Sequence, residues 1–178
     1  MKVQTHPKVI AMLAAEREGT NWRFRSFLKR VDLELEELDA IVYRHYEAVS
    51  KQIDCTSCYN CCCEVIPSLD QDDVGRLASG LGFSTEDLTK RLLAPDEDGD
   101  LSFNKKPCPL LTENLCRAYG HRPKACRSFP HLDKGEFGFR LGRAVHNCSI
   151  CPIVFNVYER LKNEPWSTHD EGFREEWE

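Results

Sequence analysis

Apolar positions recur at helical spacing over most of the chain. Residues 7–18 read as a short helix, begun by Pro7 and stopped by Gly19. From Trp22 to Ile53 the pattern is helical again. Asp32 is a candidate N-cap, and Leu35, Leu38, Ile41, Val42, Tyr46, Val49 and Ile53 follow at steps of three, four and seven. Glu34, Glu36, Glu37, Lys51 and Gln52 take much of the opposite side. Ser68-Leu69-Asp70 opens a further helix carrying Val74, Leu77 and Ala78, ended by Gly80-Leu81-Gly82. Ser84, with Asp87 three residues on, resembles a capping box for another helix through Leu92-Leu93.

The period then shortens. Residues 94–106 are a polar, turn-rich loop. Between 107 and 143 the chain reads as short strands and turns. One hairpin is expected from Cys108–Leu111 and Leu115–Tyr119, and a second across 132–141 with its turn at Lys134-Gly135. A last helix is expected over 152–162, with Ile153, Val157 and Leu161 on one face. The expected fold is α+β: helix-rich, with a small cysteine-rich β-hairpin region organised around a metal site. Its expected parts are a helical arm over 1–54, a cysteine-cluster domain over 55–162 and an acidic tail over 163–178.

Composition changes this picture little. The 178 residues are 41% hydrophobic and 30% charged, ordinary for a globular chain. A net charge of −5 gives no general attraction to nucleic acid. No apolar run reaches the roughly 18 residues of a bilayer span. The run Val9–Ala15 meets Glu16-Arg17-Glu18 at once, so an amphipathic helix is expected there rather than an export signal. The expected location is therefore cytoplasmic, where thiols stay reduced.

The chemistry lies in ten cysteines. Cys55, Cys58, Cys61, Cys62 and Cys63 fall within nine residues, spaced C-x-x-C-x-x-C-C-C. A C-x-x-C turn brings two sulfurs within reach of one metal, and a third at the same step adds another thiolate. Packing alone does not explain such density, and adjacent thiols cannot all staple distant segments as disulfides. Cys108, Cys116, Cys126, Cys148 and Cys151 occupy turn-like contexts, and Cys108 and Cys151 each precede a proline. Cys148 and Cys151 form a second C-x-x-C, open to metal binding or to a thiol redox switch.

The order CTSCYNCC, SLDQDDVGRLAS, KPCPLL and LCRAYGHRPKACRSFP resembles the YkgJ-type CxxCxxCC cysteine-cluster family, described as zinc- or iron-chelating. The resemblance runs from Cys55 to Pro130, with a possible extension to Cys151-Pro152. It implies chelation by Cys55, Cys58, Cys61, Cys62, Cys108, Cys116 and Cys126, with Cys148 and Cys151 as further candidates. Some larger proteins sharing this domain are described as flagellin lysine methylases. Cys63 is extra to the pattern and is open to three readings, a ligand, a substitute for a neighbour or a bystander, the last preferred since three successive residues rarely point the same way.

A four-thiolate site accepts Zn²⁺ or a [4Fe–4S] cluster, and spacing leaves both open. Between Arg117 and Arg143, seven Lys/Arg stand against two acids, a local +5. These cations could offset the negative charge of a metal–thiolate centre, or dock an anionic substrate or acidic protein partner. His121 and His131 could add a nitrogen ligand. No H-E-x-x-H, P-loop, nucleophile elbow or radical-SAM spacing occurs, so the residues assign no catalytic activity. The functional expectation is a metal-binding protein. An iron–sulfur redox protein, or a component of a cluster-dependent modifying enzyme, is the alternative.

Overall fold

The computed structural model describes residues 2–168. Helices α1 (Pro7–Glu16), α2 (Glu18–Leu28) and α3 (Leu35–Ser50) lead to two short helices through the cysteine cluster, α4 (Cys55–Cys58) and α5 (Asn60–Glu64). Strand β1 (Ser68–Leu69), helices α6 (Gln71–Leu81) and α7 (Thr85–Leu92), and strands β2 (Leu93–Pro95), β3 (Leu101–Phe103), β4 (Leu111–Thr112) and β5 (Leu115–Cys116) follow. After a 3-10 turn over Tyr119–His121 come α8 (Lys124–Ser128), a second 3-10 turn over Phe137–Arg140, α9 (Leu141–Asn147), α10 (Pro152–Leu161) and α11 (Pro165–Thr168). Helices dominate and the strands are short, as expected of the α+β class. Of the acidic tail expected over 163–178, residues 169–178 lie outside the described residues. No helix among the described residues is long and apolar enough to cross a membrane.

The chain forms two compact units. One joins the residues up to Asp54 with those from Pro130 onward; the other is Cys55–Phe129.

In the first unit α10 is the central element. Every residue from Pro152 to Glu159 is buried, together with Leu161, so the helix is enclosed all round rather than on the single face expected. Helices α1, α3 and α9 pack around it. Enclosure obliges its polar groups to find partners. Asn156 donates to the Gln4 carbonyl at 2.7 Å and accepts from the Gln4 amide at 2.9 Å. Glu159 binds Arg17 at 2.7 Å and Lys162 at 2.5 Å, and Lys162 also donates to Asn21 at 2.6 Å. Burial pulls the Lys162 pKa down while Glu159 pushes it up.

Three expectations are corrected here. The break between the first helices falls at Arg17, not Gly19, which sits in the first turn of α2; Arg17 is anchored through its side chain to Glu159. Helix α3 begins after Glu34 rather than at Asp32, and Glu36 and Glu37 in its first turn complement the helix dipole. The hairpin expected over 132–141 is a loop followed by a 3-10 turn and α9. Asp39 fixes that loop by accepting from the amides of Glu136 (2.6 Å) and Phe137 (2.8 Å). Arg140 donates to the carbonyls of His131, Lys134, Gly135 and Glu136.

The second unit has its own core of Leu69, Val74, Leu77, Ala78, Leu88, Leu93, Phe103, Leu110 and Ala118. Asp70 caps α6 by accepting from Asp73 N at 2.8 Å, Gly82 closes it at φ +70°, and Ser84 caps α7 from Asp87 N at 3.0 Å. The Ser84 cap and the Gly82 stop match the sequence reading, whereas of Ser68-Leu69-Asp70, expected to open α6, only Asp70 caps it and Ser68-Leu69 form β1. The segment 94–106 is more ordered than expected: β3 lies between β1 and β2, antiparallel to both. Its tight turn is held by Asp96, which accepts from the amides of Asp98 and Asp100, each at 3.0 Å. The hairpin expected from Cys108–Leu111 and Leu115–Tyr119 is present in shorter form as β4–β5, with Leu111 opposite Cys116.

Asp39→Ala leaves the amides of Glu136 and Phe137 without their charged acceptor. The expected loss is about 2 kcal/mol of stability, read as a lower denaturant midpoint at unchanged slope, with Asp39→Asn losing less.

Candidate metal centre

Helix α4 is one turn with the exposed Cys55 at its start and the half-buried Cys58 at its end. Tyr59 then adopts the left-handed region, at φ +38°, which ends the turn and lets α5 start in a new direction. Cys61, Cys62 and Cys63 are successive residues of α5, so their side chains diverge by about 100° each. The Cys61 side chain is hydrogen-bonded to Cys62, and chiefly for that reason the Cys62 thiol is lowered to about 7. Arg122 lowers it further, while burial opposes both. Burial pushes the Cys63 thiol up, and the charges of Cys62, Glu64 and Cys58 add to this.

Backbone contacts carry the cluster across to the downstream cysteines. The Cys108 amide donates to the Cys62 carbonyl at 2.8 Å, and Lys106 Nζ donates to the Glu64 carbonyl at 3.1 Å. Cys116 follows on β5, brought back by a two-residue turn whose Glu113 and Asn114 both have positive φ. Cys126 lies on α8. The carboxylate of Asp73, a buried residue of α6, accepts from Lys124 N at 2.8 Å and so fixes the first turn of that helix.

Cys62, Cys108, Cys116 and Cys126 thus form an electrostatic neighbourhood. Burial is the largest cause in the three downstream thiols: it pushes Cys108 up to about 11 and Cys126 up to about 12, and raises Cys116. Each of the three also feels the charge of Cys62. Arg122 acts in the opposite sense on Cys62, Cys116 and Cys126. Its guanidinium lies over the Tyr119 ring, 3.7 Å from the centroid, and Nε donates to the Tyr119 carbonyl at 2.9 Å. Arg127 in turn donates to the Arg122 carbonyl.

Among the described residues, no three His, Cys, Asp or Glu donors stand in a closed ligating geometry. The donor set still fits a soft metal. Four reduced, partly buried sulfurs beside a fixed guanidinium suit Zn²⁺ or an iron–sulfur cluster, and a bound cation would offset the like-charge repulsion that raises the thiols.

The remaining candidates are placed differently. Cys148 and Cys151 belong to the first unit, at the end of α9 and the start of α10, and both are buried. Burial pushes the Cys148 thiol far above its ordinary range, the reverse of what makes a thiol reactive. His131 is also in the first unit; burial first, then Lys134, Arg143 and Arg140, holds its pKa down. The basic stretch is divided. Arg117, Arg122, Lys124 and Arg127 lie in the second unit, Lys134, Arg140 and Arg143 in the first, and Arg140 is engaged by loop carbonyls. His121 is exposed, and its ring occupies the space a side chain at Gly80 would need. Asp73 and Tyr119 were not legible as site residues, because an acid in a first helical turn and a lone tyrosine read as ordinary surface positions, and Gly80 was read only as part of the stop of α6, inside which it lies.

A family model described as "CxxCxxCC: Putative zinc- or iron-chelating domain" matches residues 54–152, more than half of the chain. The chain belongs to this family. Searches of curated proteins and of solved structures returned no match.

Gly80→Ala would drive a methyl into the His121 ring. A loss of about 1–3 kcal/mol in the second unit is expected, with much of it restored in the Gly80→Ala/His121→Ala double variant. Asp73→Ala removes the carboxylate acceptor of α8 and is expected to cost about 1–2 kcal/mol, measured by denaturant unfolding.

Proposed function

We propose that the chain holds Zn²⁺ or iron through a split thiol set, with Cys62, Cys108, Cys116 and Cys126 as its inner four ligands. One observation carries this reading: four elements of the chain deliver four thiols into one electrostatic neighbourhood, with Arg122 acting on three of them. When bound, a cation with these ligands supplies a cross-link between α5, the Cys108 turn, β5 and α8. The protein's own residues supply the rest. Asp73 sets the start of α8, Tyr119 and Arg127 fix Arg122, and Arg122 offsets thiolate charge. Cys148 and Cys151, enclosed in the first unit, are assigned to packing there. Reduced thiols in this number require a reducing compartment, and the cytoplasm provides one. Arg117, Lys124 and Arg127, exposed in the same unit, are the proposed contact for an acidic partner or anionic substrate.

An iron–sulfur cluster is the second reading, favoured by the C-x-x-C-x-x-C step and the Cys108-Pro109 pair. Anaerobic metal and sulfide analysis separates the two. A brown protein with iron and sulfide in equal amounts, bleached by reductant, identifies the cluster. A colourless protein with stoichiometric zinc from the same preparation identifies zinc. Neither metal would sink the proposal altogether. Cys116→Ser or Cys126→Ser is expected to abolish stoichiometric binding, and chelation should lower hydrogen-exchange protection over 55–129 more than over α10.

A further inference from the structure

Helix α9 and its N-cap, Arg140, carry a face that the chelation reading leaves unused. Arg140, Arg143, Ala144 and Asn147 stand at steps of three and four, so they share one side of the helix. That side borders a cleft lying wholly within the first unit. Buried Leu132, Phe137, Ala144 and Val154 form its apolar part, and His131, Arg140, Arg143 and Asn147 its polar part. The space amounts to about 260 Å³, mouth included, below the roughly 300–1,000 Å³ of pockets for drug-sized ligands.

Asn147 is the telling side chain. It is only 8% exposed, and its amide has no hydrogen-bond partner among the described residues. An amide taken out of water without a partner is costly, so a group that bonds it from the cleft is favoured. Arg143 is exposed, and its guanidinium likewise makes no hydrogen bond or ion pair among the described residues. Arg140 is held by neutral carbonyls, which fix its position without cancelling its charge. The charges of Lys134, Arg143 and Arg140 all act on His131, with Asp133 opposing them. An anion entering the cleft would relieve this crowding of cations.

We propose that the cleft binds a carboxylate on a short aliphatic stem, the carboxylate taken by Asn147 and Arg143 and the stem by Leu132, Phe137, Ala144 and Val154. The proposal is independent of the chelation reading. Size excludes a nucleotide, and the apolar part disfavours phosphate, whose double charge would have to leave water against it. A carboxylate is flat, carries one charge and accepts two parallel bonds from a guanidinium. The same chemistry is offered by a free short-chain acid and by a glutamate side chain of another protein.

The test uses the full chain, isotope-labelled and titrated with butanoate while its NMR spectrum is followed. Saturable shifts of the Asn147 side-chain amide and of the α9 backbone amides are expected. Asn147→Ala should weaken binding about fivefold and Arg143→Gln about tenfold. Arg143→Gln, at an exposed position, keeps the test decisive where an Asn147 variant fails to fold. Absent or unsaturable shifts with butanoate would overturn the proposal, as would wild-type affinity in Arg143→Gln. Butan-1-ol and inorganic phosphate are the comparison probes, and equal binding of either would also overturn it. Tighter binding of N-acetylglutamic acid amide than of butanoate supports the site as a receptor for an acidic side chain. The reverse order supports it as a receptor for a free short acid.

Discussion

The hydrogen bond from the Cys108 amide to the Cys62 carbonyl is the constraint on which the centre depends. It joins positions 46 residues apart, and it does so at the backbone, so it does not compete for the sulfurs. With that contact made, the Cys108 turn sets where β4–β5 starts, and the hairpin in turn sets Cys116. The second fixed point is the Asp73 carboxylate, which places α8 and hence Cys126 relative to the core of the same unit. Two contacts of ordinary strength thus locate three of the four inner thiols. Each contributes only about 1–2 kcal/mol.

Gathering thiols has an electrostatic cost. Burial and mutual repulsion raise Cys108 to about 11 and Cys126 to about 12, so these two thiols stay protonated and neutral while Cys62 is lowered to about 7. Arg122 opposes this, and it is held over Tyr119 rather than left to solvent. An arginine suits this task because it keeps its charge at any relevant pH and presents a flat face to an aromatic ring.

Much of this was legible in the sequence, for physical reasons. Thiol spacing is a local property, and so are the caps at Asp70 and Ser84, so the cluster and the ends of α6 and α7 could be read directly. The β4–β5 hairpin was legible from its polar turn between apolar pairs. What escaped depends on distant partners. Asp39 and Arg140 turn 131–140 away from a hairpin through contacts that no short window contains. Strand β3 was missed because its residues sit in a polar stretch and gain their order from β1 and β2. The full enclosure of α10 was hidden because Asn156 and Glu159 look like a solvent face until their buried partners are known. Asp73 reads as an ordinary first-turn acid until Lys124 is placed beside it.

The discontinuous first unit has a consequence for the order of synthesis. Its central helix, α10, leaves the ribosome after the whole of Cys55–Phe129, which is continuous in sequence. Domains generally fold as units, those nearer the N-terminus first. The cysteine-rich unit can therefore assemble while the first three helices still await the element they enclose. The nascent chain then passes through an interval in which its cysteine-rich unit is formed but the apolar faces that α10 covers are open, and that interval is when a chaperone would have most to hold.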